Sequence, residues 1–163
     1  MKEYLNSLVG KEIKVNRGGP ESSSGLLLDV KDDFFTLLTK DDGVIYYKVQ
    51  HIKSLTREPK KEYESTMELP EDFTYFQGER FKDILNSLVL KWVYINRGGP
   101  EKVEGVLTSV GENGISLVLD DEIVDVSDYH IKSVSYGNNP FGEEEDKDKE
   151  KDNKEGEQKN KKD

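Results

Sequence analysis

The stretch Leu5-Asn-Ser-Leu-Val-Gly-Lys-Glu-Ile-Lys-Val-Asn-Arg-Gly-Gly-Pro-Glu21 returns as Leu85-Asn-Ser-Leu-Val-Leu-Lys-Trp-Val-Tyr-Ile-Asn-Arg-Gly-Gly-Pro-Glu101. A second string, His51-Ile-Lys-Ser54, returns as His130-Ile-Lys-Ser133. The chain is therefore one small module written twice. From Leu5 to Leu37 the partner lies 80 positions on, as in Arg17/Arg97, Gly25/Gly105 and Leu37/Leu117; from Asp41 it lies 79 on, as in Asp41/Asp120, Asp42/Asp121 and His51/His130. One residue is lost between those stretches. That places a loop there, because loops absorb deletions that strands do not. A module of this size buries only about 60% of its unfolded surface, so pairing with its twin or with other chains is the expected remedy.

Working outward from the repeated stretch, each copy opens on a helical face. Phe81, Ile84, Leu85, Leu88 and Val89 follow the i, i+3, i+4, i+7, i+8 spacing, and Tyr4, Leu5, Leu8 and Val9 repeat it. Gly10 suits the position that ends such a helix; Leu90 stands there in copy two, so that helix is expected to end differently. The period then changes to two at Ile13/Val15 and Val93/Ile95. Asn-Arg-Gly-Gly-Pro breaks the strand. Residues 25–30 and 34–38 predict a hairpin, matched by 105–110 and 115–119, with a fourth strand over 44–49 or 122–126. The His-Ile-Lys-Ser strings predict a short fifth strand. Of the adjacent Tyr46 and Tyr47, strand alternation predicts one inward and one outward. One helix and five strands per copy predict a small, strongly bent antiparallel sheet or barrel.

The 163 residues hold 34 acidic and 24 basic side chains, a net charge of −10. Residues 1–57 carry 9 basic against 8 acidic residues, and residues 80–138 carry 6 against 9. No basic stripe is visible, which argues against nucleic acid as a partner, since phosphate neutralisation supplies most non-specific affinity there. Cysteine is absent, so neither a disulfide framework nor a thiolate site exists. No leader-like apolar segment follows Met1-Lys2-Glu3 and no apolar run approaches the length of a membrane span; a soluble chain without a signal peptide is expected. The linker 58–79 is acidic and expected to be flexible, apart from Asp72-Phe-Thr-Tyr-Phe76, whose aromatics suit docking on a sheet. The tail beyond residue 138 becomes wholly polar from Glu143 and predicts disorder.

Asn-Arg-Gly-Gly-Pro-Glu is the strongest local motif. As structure, it is a connection whose glycines take positive φ and whose proline fixes the exit. As function, Asn16, Arg17, Gly18, Gly19, Asn96, Arg97, Gly98 and Gly99 form candidate interaction sites, with each guanidinium a fork for a carboxylate or phosphate. His51 and His130 lack a spaced carboxylate or nucleophile partner, and local packing suits them better than catalysis or metal binding. No acid, base and nucleophile set converges anywhere, so the chain reads as a non-enzyme with no metal or cofactor.

The apolar order Leu-x-x-Leu-Val-Gly-Lys-x-Ile-x-Val, a later Gly-x-Leu-x-x-Val and the terminal Ile-Lys-Ser resemble the Sm-like barrel. The fuller strings, Asn-Arg-Gly-Gly-Pro-Glu, Asp41-Asp-Gly-Val-Ile-Tyr-Tyr47 and His-Ile-Lys-Ser, resemble the repeated region of the spore coat protein B family of endospore-forming bacteria. The resemblance implies a mainly β chain of two tandem Sm-like five-strand barrels, each after a short helix: module 1 over 3–57, an acidic linker over 58–79, module 2 over 80–138 and a disordered charged tail over 139–163. It implies a structural role in the outer spore coat, after synthesis in the mother-cell cytoplasm, with other coat proteins as partners. Exposed strand edges would allow self-association, and neither nucleic acid nor membrane is expected. The family's serine- and lysine-rich tail is a phosphorylation target; the residues that follow Phe141 depart from it in holding no serine. The alternative is an Sm-like RNA-binding protein; against it, the usual Asp-x-hydrophobic-x-Asn loop is replaced by Lys31-Asp-Asp-Phe-Phe35 and the late Arg-Gly pair is missing.

Overall fold

The computed structural model describes residues 1–59 and 67–141. The expected tail disorder from Glu143, and part of the expected linker flexibility, fall on residues 60–66 and 142–163, outside the described residues. Copy one comprises α1 (Lys2–Asn6), β1 (Glu12–Val15), β2 (Ser23–Val30), β3 (Phe34–Thr39), β4 (Gly43–Lys48) and β5 (Leu55–Thr56). Copy two repeats this as α2 (Phe81–Ser87), β6 (Trp92–Ile95), β7 (Val103–Val110), β8 (Gly114–Leu119), β9 (Glu122–Ser127) and β10 (Ser133–Ser135). The His-Ile-Lys-Ser strings mostly precede the fifth strands: each histidine closes a single 3₁₀ turn, Val49–His51 or Asp128–His130.

All ten strands form one antiparallel sheet in the order β5-β1-β2-β3-β4-β10-β6-β7-β8-β9. Each copy contributes the same local order. The copies meet where β10 pairs with β4, through Ser133↔Tyr47, Val134↔Tyr46 and Ser135↔Ile45. The lost residue falls in the β3–β4 turn, where Thr39 pairs with Gly43 but Leu119 pairs with Glu122.

The bend also repeats. The β2–β3 register shifts between Leu27 and Asp29, and the β7–β8 register shifts between Leu107 and Ser109. A bulge at the same place in both copies raises the local twist and folds the long strand over its own core. Gly25 permits the close approach this needs, since a Cβ there would lie 2.2 Å from the Leu38 carbonyl oxygen. The helices end alike despite the Gly10-to-Leu90 change, which corrects the expectation of a different end. Gly10 (φ 86°) donates to the Leu27 carbonyl at 2.8 Å, and Leu90 (φ 69°) donates to that of Leu107 at 2.7 Å. The backbone bond to the long strand is strong enough to hold a leucine in the left-handed region.

Two cores result. One is internal to copy one and gathers Leu5, Leu8, Ile13, Val15, Leu27, Phe35, Leu37, Ile45 and Tyr47. The other combines the interior of copy two with the opposite face of copy one: Leu26, Phe34, Leu38, Val44 and Tyr46 pack with Phe81, Ile84, Leu85, Leu107 and Val134. Strands β3 and β4 are consequently buried at every position. The expectation that one of Tyr46 and Tyr47 points to solvent is therefore corrected. They do point to opposite faces, but copy two covers the outer one. Phe73, Tyr75 and Phe76 pack on the same core, as the aromatic run predicts.

A candidate assembly joint between the two copies

The two repeated strings are far apart in sequence and adjacent in space. Asn16 and Asn96 sit at positive φ, 55° and 59°, and are buried. The Oδ1 of Asn16 accepts the Lys53 amide at 2.9 Å, and that of Asn96 accepts the Lys132 amide at 2.8 Å. Their own amides donate to Ser54 and Ser133 carbonyls at 2.8 and 3.0 Å. Each asparagine thus ties the Arg-Gly-Gly turn to the His-Ile-Lys-Ser segment, and the loop is held from within its own copy.

Beyond the asparagine the two copies differ, because only the second loop meets a neighbour. Glu21 of copy one, 8% exposed, reaches across the joint. Its Oε1 accepts the Arg97 amide at 2.7 Å, and its Oε2 accepts the Ser133 hydroxyl at 2.9 Å. The Arg97 guanidinium takes the Asp42 carboxylate at 2.7 Å, and its Nε is buried with no hydrogen-bond partner among the described residues. Gly98 and Gly99 lie against Pro20: built Cβ atoms would stand 3.5 and 3.4 Å from its ring. Lys48, nearly buried, donates to the carbonyl oxygen and carboxylate of Asp128 at 2.7 and 3.1 Å and lies over the Phe81 ring. Past β10, the Asn139 side chain donates to the Lys40 carbonyl at 3.0 Å, and Val44 donates to the Asn138 carbonyl at 3.1 Å.

Arg17, Gly18 and Gly19 sit in the open at the far end of the sheet. The Arg17 amide donates to the Ser54 hydroxyl at 3.1 Å, and Cβ atoms built on Gly18 or Gly19 would meet nothing within 4 Å. The eight candidate residues therefore form two loops in different states, one seated in the joint and one exposed, rather than a single site.

The electrostatics of the joint follow from burial. Burial drives the Tyr46 hydroxyl well above the ordinary phenol range, and its proton goes to the Phe76 carbonyl at 2.8 Å. Burial also raises Tyr47 to about 12, where its hydroxyl donates to the Glu21 carbonyl at 3.1 Å and meets Ser23 Oγ at 2.9 Å. Partial burial lowers His51, whose ring stands edge-on to Tyr129 at 5.8 Å. Among the described residues no three His, Asp or Glu side chains are grouped to hold a metal ion, and no helix is long and apolar enough to cross a membrane. An open groove beside the joint is lined by Lys14, Ser24, Lys40, Asp42, Thr56 and Arg97; its one arginine is engaged by Asp42.

Sequence reasoning singled out the asparagine, arginine and glycines but not Glu21, Asp42 or Ser133. Glu21 closes the repeated motif and Ser133 closes the other string, so both carried the repeat signal. Lys48 and Asp128 carried none, because their counterparts are Ser127 and Val49.

No family model matches the chain, and no solved structure matches it. Spore coat protein B of Bacillus subtilis (strain 168) is 35% identical over 133 residues, 82% of this chain. The match spans 34% of that protein, so the chain corresponds to about a third of its relative's length. On that likeness, which takes in most of the duplicated region, the chain is related to the spore coat protein B family.

Proposed function

We propose that the chain is a non-enzymatic structural component of the spore coat, a bivalent connector built from two Sm-like five-strand units. The likeness to spore coat protein B carries this reading. The geometry supports it: the charged groups between the copies are spent on each other, and among the described residues the sheet ends in two edge strands, β5 and β9, each paired on one side only. Edge strands present free amides and carbonyls and are ready templates for another strand. The order β5-β1-β2-β3-β4 after a short helix, repeated in copy two, supports Sm-like units over 3–57 and 80–138, with 58–79 as linker and 139–163 as tail. The Asn16–Gly19 and Asn96–Gly99 loops serve as interaction elements, and other coat proteins are the partners in the outer layer.

Fractionation of sporulating cells tests this. A tagged chain should appear in the coat extract of released spores and be reached by antibody at the spore surface. Recovery only from the mother-cell cytosol would overturn the reading.

A further inference from the structure

We propose that copies of this chain join head to tail, β9 of one molecule pairing with β5 of the next through the contacts that hold β4 to β10 within the molecule. This deepens the connector reading by naming a second copy of the chain as the occupant of the free edges.

The repeat itself carries the inference, because the residues of the Glu21, Arg97, Asp42 and Ser133 cluster all have like counterparts at the outer edges. Glu21 holds the Arg97 amide and the Ser133 hydroxyl; at the outer edges stand Glu101 near β9, and Arg17 and Ser54 near β5. Asp42 holds the Arg97 guanidinium; its counterpart Asp121 is exposed beside β9, and Arg17 is exposed beside β5. Pro20 fills the space over Gly98 and Gly99, whereas Gly18 and Gly19 look into open space and Pro100 is exposed. One end of the molecule carries the acidic half of the joint and the other end carries the basic half.

The apolar parts match in the same way. Phe81, Ile84 and Val44 are buried in the shared core. Their counterparts Met1, Tyr4 and Ile123 are 61%, 44% and 72% exposed, the first two near β5 and the third on β9. One pair has changed in a correlated way. Tyr46 stacks on Tyr136 across the inner joint, with ring centroids 6.4 Å apart; the counterparts are Asp125 and Arg57, an aromatic pair exchanged for opposite charges. The implied register is Ser54↔Val126, Leu55↔Asp125 and Thr56↔Val124, the transposition of the β10–β4 pairing.

The outer joint is weaker than the inner one, for identifiable reasons. Ser127 and Val49 replace the Lys48–Asp128 pair. Glu122 stands where Gly43 leaves room for Asn138, whose carbonyl oxygen would lie 2.4 Å from a Cβ. Glu101 must also release Lys132, which it now holds at 2.7 Å. Pairing is therefore short and concentration-dependent. Because the two surfaces differ, association is directional and continues past the dimer unless the rotation closes a ring.

Sedimentation of the full chain over a micromolar-to-millimolar series tests this. The wild-type mass should rise with concentration beyond that of a dimer. Arg17→Asp and Asp121→Arg alter exposed side chains at opposite ends, and each alone should weaken association about tenfold or more. Mixed together, the two variants should regain growth past the dimer, since the intact acidic end of one meets the intact basic end of the other and their two substituted ends meet as the reversed pair. The double variant should regain growth through the reversed pair. A wild-type chain that stays monomeric across the series, single variants that assemble like wild type, or a mixture that assembles no further than the single variants would each overturn the proposal. Those results leave spore fractionation untouched, so the coat reading stands or falls separately.

Discussion

At Asn16 and Asn96 a single side chain joins two strings that the sequence separates by more than thirty positions. Asparagine tolerates the left-handed backbone better than most residues, and its carboxamide oxygen then faces the amides of the closing segment. Glu21 extends this link across the joint. Replacing it with alanine strands the Arg97 amide and the Ser133 hydroxyl in a buried place, which costs about 1–3 kcal/mol. The denaturant midpoint of Glu21→Ala should fall accordingly with an unchanged slope; a midpoint equal to wild type would show that water replaces the carboxylate freely. Tyr47 gives a pH test. Its folded-state pKa, about 12, lies above the ordinary phenol value of 10.0, so folding favours the protonated form. The associated stability is fully present below pH 10 and is lost as pH rises from there towards 12. Tyrosinate absorbance should therefore show Tyr46 and Tyr47 ionising only above the ordinary phenol range, and stability should decline on the order of 2 kcal/mol across that window. Stability that holds flat to pH 12 would contradict the buried placement.

Among the elements, the two helix ends provide an internal control. Gly10 and Leu90 hold the same bond to the long strand at the same left-handed backbone, yet only glycine adopts it without strain. Leu90 is 76% exposed, so its side chain contributes little packing. Leu90→Gly should therefore stabilise the chain by roughly 0.5–1 kcal/mol, the relieved strain outweighing the added freedom of the unfolded chain. A rise in thermal midpoint checks this; a fall would mean that Leu90 packs on a surface beyond this chain. Helix faces and strand alternation were legible because each depends on local period: Leu5, Leu8, Ile84 and Leu88 are buried where the spacing places them. Tyr46 was misread because alternation assumes one open face, and which face is open depends on where copy two docks. Lys48 and Asp128 were invisible for a related reason: their counterparts, Ser127 and Val49, do not repeat the pair. The arginine and glycine loops were found, but whether each is seated or exposed is a property of the pairing, which no single copy encodes.

At the scale of the molecule, the shared core decides whether the chain is two bodies on a tether or one. Phe34, Leu38, Val44 and Tyr46 of copy one are buried with Phe81, Ile84 and Leu85 of copy two, and each such side chain contributes about 1.5–3 kcal/mol when removed from water. The joint adds Glu21, the Arg97–Asp42 pair and the Lys48–Asp128 pair, with both Glu21 and Lys48 out of solvent. A covalent link between two such halves supplies only an effective concentration, in the millimolar range for a short flexible linker. The contacts should therefore outlast the link. Lys60 and Lys61 offer trypsin sites between the copies. A chain cut there should give two fragments on a denaturing gel while sedimenting as one particle of the original mass, and it should unfold in one transition, because exposing either half opens the core of both. Fragments that separate under native conditions, or two resolved transitions in the uncut chain, would show that the copies fold as independent bodies and that the β4–β10 joint is subordinate to them.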